Sequence, residues 1–203
     1  IARRYGTVNR LNRVVVDPDD AWIGLLACGQ TGHELRQALR GLGLAGDGDI
    51  AALGIRVMHL AMPYPLDASL VRHFARGLSE VFVVEDKNPT LESAVKDALY
   101  AGADQPLVTG KRDEDGNRLL PAHGSLDAEA ITGPLRSRLS RRVAPERMAP
   151  PRVDGPQRIP VSVNRTPYFC SGCPHNTSTT VPDGAVVGGG IGRSEEHTSE
   201  LQS

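Results

Sequence analysis

The sequence predicts an α/β protein: a parallel, three-layer sheet domain followed by the start of a second α/β domain. Three observations predict it. Short apolar runs alternate with amphipathic helical patterns throughout residues 17–142, the signature of repeated β-to-α crossovers. Prolines then crowd residues 143–165 with little periodicity, which marks a linker. Beyond it, a compact cysteine-bearing segment leads into a new apolar run and a string of glycines, residues 166–192.

Each element has its own warrant. Trp22–Ala27 reads as a buried strand ending at Cys28-Gly29. A helix follows with Leu35, Ala38, Leu39 and Leu42 at i, i+3, i+4 and i+7, and Gly41 and Gly43 stop it. Ile55–Leu60 is a second strand. It runs into Met62-Pro63-Tyr64-Pro65, whose prolines forbid helix and fix an extended turn. Asp67 is placed to cap the next helix, whose buried stripe is Leu70, Val71, Phe74 and Leu78. Val81–Val84 is a third strand, ending in Glu85-Asp86-Lys87. Thr90 is expected to cap a third helix bearing Leu91, Ala94, Val95, Ala98 and Leu99. A short strand is expected near Leu107-Val108. A last helix spans about 126–139, with Gly133-Pro134 expected to break or kink it. Ala185-Val186-Val187 should begin the strand of the second domain.

Composition narrows the function classes. The 203 residues are 39% hydrophobic and 23% charged, with a formal net charge of −1. A near-neutral balance argues against nucleic acid or an anionic membrane as the main partner. Aromatic residues make up 4%, too few for a base-stacking platform. No apolar run approaches the roughly 20 residues of a membrane helix, and no secretory signal opens the chain. Three cysteines, two of them close together, make no disulfide framework, so a cytoplasmic protein is expected.

The two ends read differently from the middle. Residues 1–16 look like the end of a preceding segment or linker, since Ile1 stands where an initiator Met would. Residues 193–203 match, codon for codon, the translation of a common sequencing adapter. They are polar, with Leu201 their one aliphatic residue and no periodic apolar face. They are therefore excluded from fold reasoning.

Cys170-x-x-Cys173 is the constellation with a clear chemical reading. Gly172 permits a tight turn that aims both sulfurs at one centre. A zinc knuckle, a thioredoxin-type redox pair and one edge of an iron–sulfur cluster all use this spacing, and spacing alone leaves the three open beside an inert buried pair. The run Val187-Gly188-Gly189-Gly190-Ile191-Gly192 resembles the start of a phosphate-cradling loop, though a plain tight turn is the simpler reading. Cys28 reads as a strand-end thiol, and His33, His59 and His73 as packed or surface residues of the sheet domain. His123 is loop-borne with no reaction to assign. Asp113-Glu114-Asp115-Gly116 reads as a solvated turn rather than a calcium loop. Glu85 and Asp86 sit at the sheet's carboxyl edge, where α/β sheets bind ligands, but helix capping or solvation is the preferred reading.

A family resemblance rests on these same residues. Phe169-Cys170-Ser171-Gly172-Cys173-Pro174-His175-Asn176-Thr177-Ser178-Thr179, then Val181-Pro182-Asp183-Gly184 and Gly190-Ile191-Gly192, resembles the opening of the thiamine-diphosphate domain of indolepyruvate:ferredoxin oxidoreductases, particularly the long fused bacterial form. Upstream, Met62–Asp67, Val83–Lys87, Gly110–Gly116 and Leu120–Gly124 are similar to the same proteins. The resemblance implies a transketolase C-terminal-like domain over 17–142 and the start of a thiamine-diphosphate-binding domain over 166–192. It implies oxidative decarboxylation of 2-oxoacids such as indolepyruvate to acyl-CoA and carbon dioxide, with CoA as co-substrate, ferredoxin as electron acceptor and a homo-oligomeric full-length protein. The cofactors it implies are thiamine diphosphate with Mg²⁺ and a 4Fe–4S cluster. Cys170 and Cys173 are the metal ligands it implies, with His175, Gly190 and Gly192 near the thiamine or cluster. A further cysteine of the family stands where this chain has Arg193. The diphosphate-binding aspartate motif and the glutamate that activates the thiamine have no match here, so a catalytically incomplete piece of the enzyme is expected. The competing expectation is a zinc- or thiol-based CxxC module attached to a structural α/β interaction domain.

Overall fold

The computed structural model describes residues 1–100, 102, 105–148 and 169–186. The chain divides into two compact units, Ile1–Val153 and Asp154–Ser203. The first contains a five-stranded sheet and the helices that cover it.

In chain order its elements are α1 (Ala2–Val8), β1 (Asn12–Val16), β2 (Ile23–Cys28), α2 (Gln30–Gly41), α3 (Asp47–Ala51), β3 (Ile55–Leu60), α4 (Ala68–Ala75), β4 (Glu80–Val84), α5 (Thr90–Leu99), β5 (Leu107–Thr109) and α6 (Ala128–Leu139). The strand order is β1-β3-β2-β4-β5. β3, β2, β4 and β5 run parallel, and β1 joins β3 antiparallel. From β2 the chain crosses by α2 and α3 to β3 on one side, then by α4 to β4 on the other. The strand order therefore reverses between β2 and β4.

Strand alternation sorts the core into two layers. Ile23, Leu25, Ala27, Ile55, Val57, Phe82 and Val84 face α2, α3 and α6, where Leu35, Leu39, Ile50, Ile131, Leu135 and Leu139 meet them. Leu26, Met58, Leu60, Val81 and Val83 face α4 and α5 through Val71, Phe74, Leu91 and Val95. The strands are buried on both faces, so they read as continuous apolar runs rather than alternating ones. At roughly 1.5–3 kcal/mol per buried large aliphatic or Phe side chain, these two layers hold the unit together. Gly24 in β2 lets α4 approach closely: a Cβ there would stand 2.5 Å from Leu78 Cδ1 and 2.7 Å from Phe74 Cζ.

Four features depart from the sequence expectations. Residues 1–16 carry a helix and a strand, and Asn12 extends the ladder by pairing its side-chain amide with Met62 N and O, each at 2.9 Å. β1 is half exposed and short, which gave it no apolar signature. Thr90 is not the cap of α5; it is the helix's first residue, and the Glu85 side chain fills the capping role. Gly133-Pro134 does not break α6, which runs through both. The packing of Ile131, Leu135 and Leu139 against the α2 layer outweighs the roughly 3 kcal/mol an interior proline costs. Ala185 and Val186 form no strand, and Val187 lies outside the described residues.

Other expectations agree with the structure in detail. Asp67 caps α4, accepting from Ser69 N at 3.0 Å and Leu70 N at 3.3 Å. α2 ends at Gly41, and Gly43 at φ +84° reverses the chain so that Leu44 N reaches Leu39 O. β5 forms at Leu107–Thr109. No helix among the described residues is long and apolar enough to cross a membrane.

Candidate functional site

Two candidate places stand out among the described residues. The first is the carboxyl edge of the sheet, where the strand order reverses. In open α/β sheets the loops on either side of such a point diverge and leave a crevice. Here Thr31, at the start of α2, closes the gap: its Oγ1 lies 2.7 Å from Cys28 O and 3.0 Å from Val84 O.

Next to it, Glu85 is buried, and its two carboxylate oxygens accept from Leu91 N at 2.7 Å and Glu92 N at 2.8 Å. Burial pushes its carboxyl up, against the two backbone donors that favour the charge. Lys111 is also buried, and its Nζ donates to Glu85 O at 2.6 Å and Pro121 O at 2.7 Å. Burial pulls its ammonium down, while Glu85, Asp86 and Glu92 pull it back up. Burial, and then the Glu85 charge, push the Cys28 thiol up, which works against a reactive thiolate there. Each of these charged groups is taken up by the protein's own backbone. Their arrangement anchors the 110–121 loop and α5 to the end of β4. Glu85 is thus a helix cap, and Asp86 pairs with Lys87 at 3.6 Å.

Lys111 and Glu92 had no reading from the sequence. Glu92 accepts from Lys111 N at 2.8 Å and from Lys96 Nζ at 2.6 Å. A Cβ at Gly110 would stand 2.5 Å from Glu92 Oε2, so the glycine after β5 was the available signal of a buried acid. His33 and His73 are exposed, and His123 lies on an exposed loop. His59 places Nε2 3.1 Å from Gly29 O and fills the space over Gly32, a packing role.

The second place lies in the second unit. Cys170 and Cys173 share one turn: Cys173 N donates to Cys170 O at 3.0 Å, and Gly172 sits at φ +79°. Asn176 Nδ2 donates to the same carbonyl at 3.1 Å. Cys170 is exposed and Cys173 half-buried, and neither forms a disulfide. Cys173 Sγ lies 3.1 Å from His175 Nδ1, and the Phe169 ring stacks on that imidazole with centroids 5.2 Å apart. His175 opens a short helix, α7 (His175–Ser178). Cys170, Cys173 and His175 are therefore brought together, while Gly190 and Gly192 lie outside the described residues.

Two soft thiol donors on one turn suit a soft metal centre. They also fit a 4Fe–4S cluster as half of its thiolate set. Among the described residues no group of three or more His, Cys, Asp or Glu side chains is placed to hold a metal ion. The remaining ligands of such a cluster would therefore come from elsewhere.

The sheet unit decides the family. The family described as indolepyruvate oxidoreductase domain matches residues 13–150. The chain belongs to that family. The indolepyruvate oxidoreductase domain here is also similar to curated proteins named indolepyruvate oxidoreductase subunit IorA. That of Methanothermobacter thermautotrophicus is 30% identical over 168 residues, covering 82% of this chain and 24% of the relative. That of Archaeoglobus fulgidus is 26% identical over 176 residues, covering 86% and 25%. The chain thus spans about a quarter of the length of the curated relatives it matches. Two solved structures are similar to the domain at low identity. A split-gene transketolase, an inactive beta4 tetramer, gives a TM-score of 0.43 at 19% identity, covering 65% of this chain and 42% of that one. The 2-oxoglutarate:ferredoxin oxidoreductase from Magnetococcus marinus, with 2-oxoglutarate, coenzyme A and succinyl-CoA bound, gives 0.45 at 15%, covering 68% and 21%.

Proposed function

We propose that the chain is part of a 2-oxoacid oxidoreductase that converts 2-oxoacids such as indolepyruvate, with CoA, to acyl-CoA and carbon dioxide and passes the electrons to ferredoxin. Membership of the indolepyruvate oxidoreductase family supports this class of reaction. The observation that carries the reading further is the Cys170–Cys173 turn, which presents two thiols from one glycine-hinged loop.

In this reading Cys170 and Cys173 supply two thiolates to a 4Fe–4S cluster. Gly190 and Gly192, which lie outside the described residues, are assigned to the neighbourhood of thiamine diphosphate with its Mg²⁺ or of the cluster. When bound, the cluster supplies one-electron transfer and the thiamine carbanion stabilisation. The residues of this chain hold and orient. Gly172 sets the turn, and Asn176 and the Cys173 amide fix the Cys170 carbonyl. The sheet over 17–142 acts as a transketolase C-terminal-like scaffold. At the sheet's carboxyl edge Glu85 and Lys111 are committed to backbone partners, which supports a holding rather than a proton-transferring role for these two. The chain alone is proposed to be inactive on 2-oxoacids, because none of its residues matches the diphosphate-binding aspartate motif or the thiamine-activating glutamate, with residues 193–203 playing no part.

The test is metal analysis of the longer protein that carries this segment, purified without oxygen. Iron and acid-labile sulfide should be present, and Cys173→Ser should lower both together with electron delivery to ferredoxin. Stoichiometric zinc, with ferredoxin reduction that survives Cys173→Ser, would replace this reading with a zinc module.

A further inference from the structure

We infer that His175 is a positioning residue for Cys173, donating a hydrogen bond from Nδ1 to the ligand sulfur and making the two cysteines of the turn unequal. The inference rests on the cluster reading of Cys170 and Cys173 given above.

The geometry is specific to one of the two thiols. Cys173 Sγ stands 3.1 Å from His175 Nδ1, well within hydrogen-bond range for sulfur. Among the described residues, no side chain makes a comparable contact with Cys170 Sγ, and that residue is exposed. A contact across only two residues requires a sharp turn, and Pro174, locked near φ −57°, provides it by leading directly into α7. Phe169 stacks on the face of the imidazole, at a centroid distance of 5.2 Å and an interplanar angle of 29°. Stacking of this kind fixes the ring plane and so the direction of Nδ1. The turn itself is pinned by the two donors on Cys170 O.

The chemistry follows from the donor inventory. A thiolate bound to iron can only accept, so the contact requires the tautomer with hydrogen on Nδ1. An N–H donor aimed at a ligand sulfur draws negative charge from it. That favours the more reduced, more negative state of a cluster and raises its potential. It also orients the thiolate, as outer partners orient metal ligands generally. Phe169 and His175 thus form a stacked pair whose combined effect falls on one ligand of the cluster.

The experiment uses the full-length protein purified anaerobically, as wild type, His175→Leu and His175→Asn. Iron and sulfide content, resonance Raman spectra of the terminal Fe–S stretches and EPR-monitored redox titration are measured on each. Asn carries a side-chain N–H close to where His carries Nδ1, so it keeps the donor without the ring. The expected result is a more negative midpoint and a moved Fe–S band in His175→Leu, both returned toward wild type in His175→Asn. Should His175→Leu lose its cluster altogether, recovery of iron and sulfide in His175→Asn would support the hydrogen bond, and equal loss in both would overturn it. A wild-type potential and spectrum in His175→Leu would also overturn it. Absence of iron and sulfide from the wild type would instead remove the cluster reading itself, and this inference with it.

Discussion

Glu80, the first residue of β4, and Arg138, near the end of α6, meet at 2.6 Å between Oε1 and Nε, with side chains only 3% and 4% exposed. Fifty-eight residues separate them in sequence. The same Glu80 oxygen accepts from the Thr109 hydroxyl at 2.7 Å, and Glu114 takes Arg138 Nη1 at 2.9 Å. One buried carboxylate therefore joins β4, β5 and α6, and Arg138 carries the network on to Glu114 in the 110–120 loop. Arg138 Nη2 is the buried side-chain polar atom left without a partner among the described residues.

Such a pair stabilises little beyond what apolar residues would, yet opening it strands a charge in the interior. Arg138→Met should lower the unfolding free energy by about 3–5 kcal/mol, measured by urea denaturation. Adding Glu80→Gln should recover much of that loss. A single-variant loss below about 1 kcal/mol would show that the pair is solvated after all.

The acidic side of this network sets a pH dependence. The Arg141 hydrogen bond, with Arg138 behind it, holds the Glu114 carboxyl down to about 2, against an ordinary value of 4.5. An acid with a lower pKa in the folded state stabilises the fold above its unfolded pKa and loses that contribution as pH falls toward its folded one. Stability should therefore decline between pH 4.5 and 2, and Glu114→Gln should flatten that part of the curve. Parallel urea midpoints against pH for wild type and variant would contradict it.

The cap of α5 separates two readings of one helix end. Glu85→Ala should cost roughly 0.5–2 kcal/mol, as the loss of a capping oxygen does, and should fray the first turn in amide exchange. Thr90→Ala should leave both nearly unchanged, because Thr90 is exposed and its side chain caps nothing. The reverse ranking would restore Thr90 as the cap.

Two glycines give a paired test of packing. Gly24→Ala should destabilise by about 1–3 kcal/mol, since its methyl would press into Leu78 and Phe74. Gly48→Ala, in the open first turns of α3 where no atom lies within 4 Å of the added Cβ, should be neutral or stabilising by up to about 1 kcal/mol. Thermal melts of the two variants decide it, and equal shifts would mean that α4 can retreat from the sheet.

The parts of the fold legible in the sequence were those whose signal is local and apolar. Ile55–Leu60 and Val81–Val84 are buried on both faces, so their runs stand out without structural context. Asp67 was readable because its cap reaches only two and three residues ahead. Glu85 caps from six and seven residues away, across a loop, and Thr90 sat in the conventional place. β1 has alternating, half-exposed residues and gains its identity from pairing with β3. Pro134 misled because the burial that holds α6 together lies on another helix. At the candidate site the cysteine spacing was visible at once, and Gly172 announced the turn. The partnership of His175 with Phe169 and Cys173 was not, because i, i+2 and i, i+6 relations acquire meaning only once Pro174 has bent the chain.

The two outer strands of the sheet have a consequence for the molecule in a crowded solution. β5 offers a neighbour only three residues of ladder, and β1 changes register between Val14 and Val16. A long, straight edge of unpaired N–H and C=O groups is what recruits foreign strands into growing aggregates, and bulges and short edges deny that template. The apolar strands β2, β3 and β4 would be hazardous if laid bare, and they are the three that lie inside the sheet, flanked on either side by an edge unsuited to further growth.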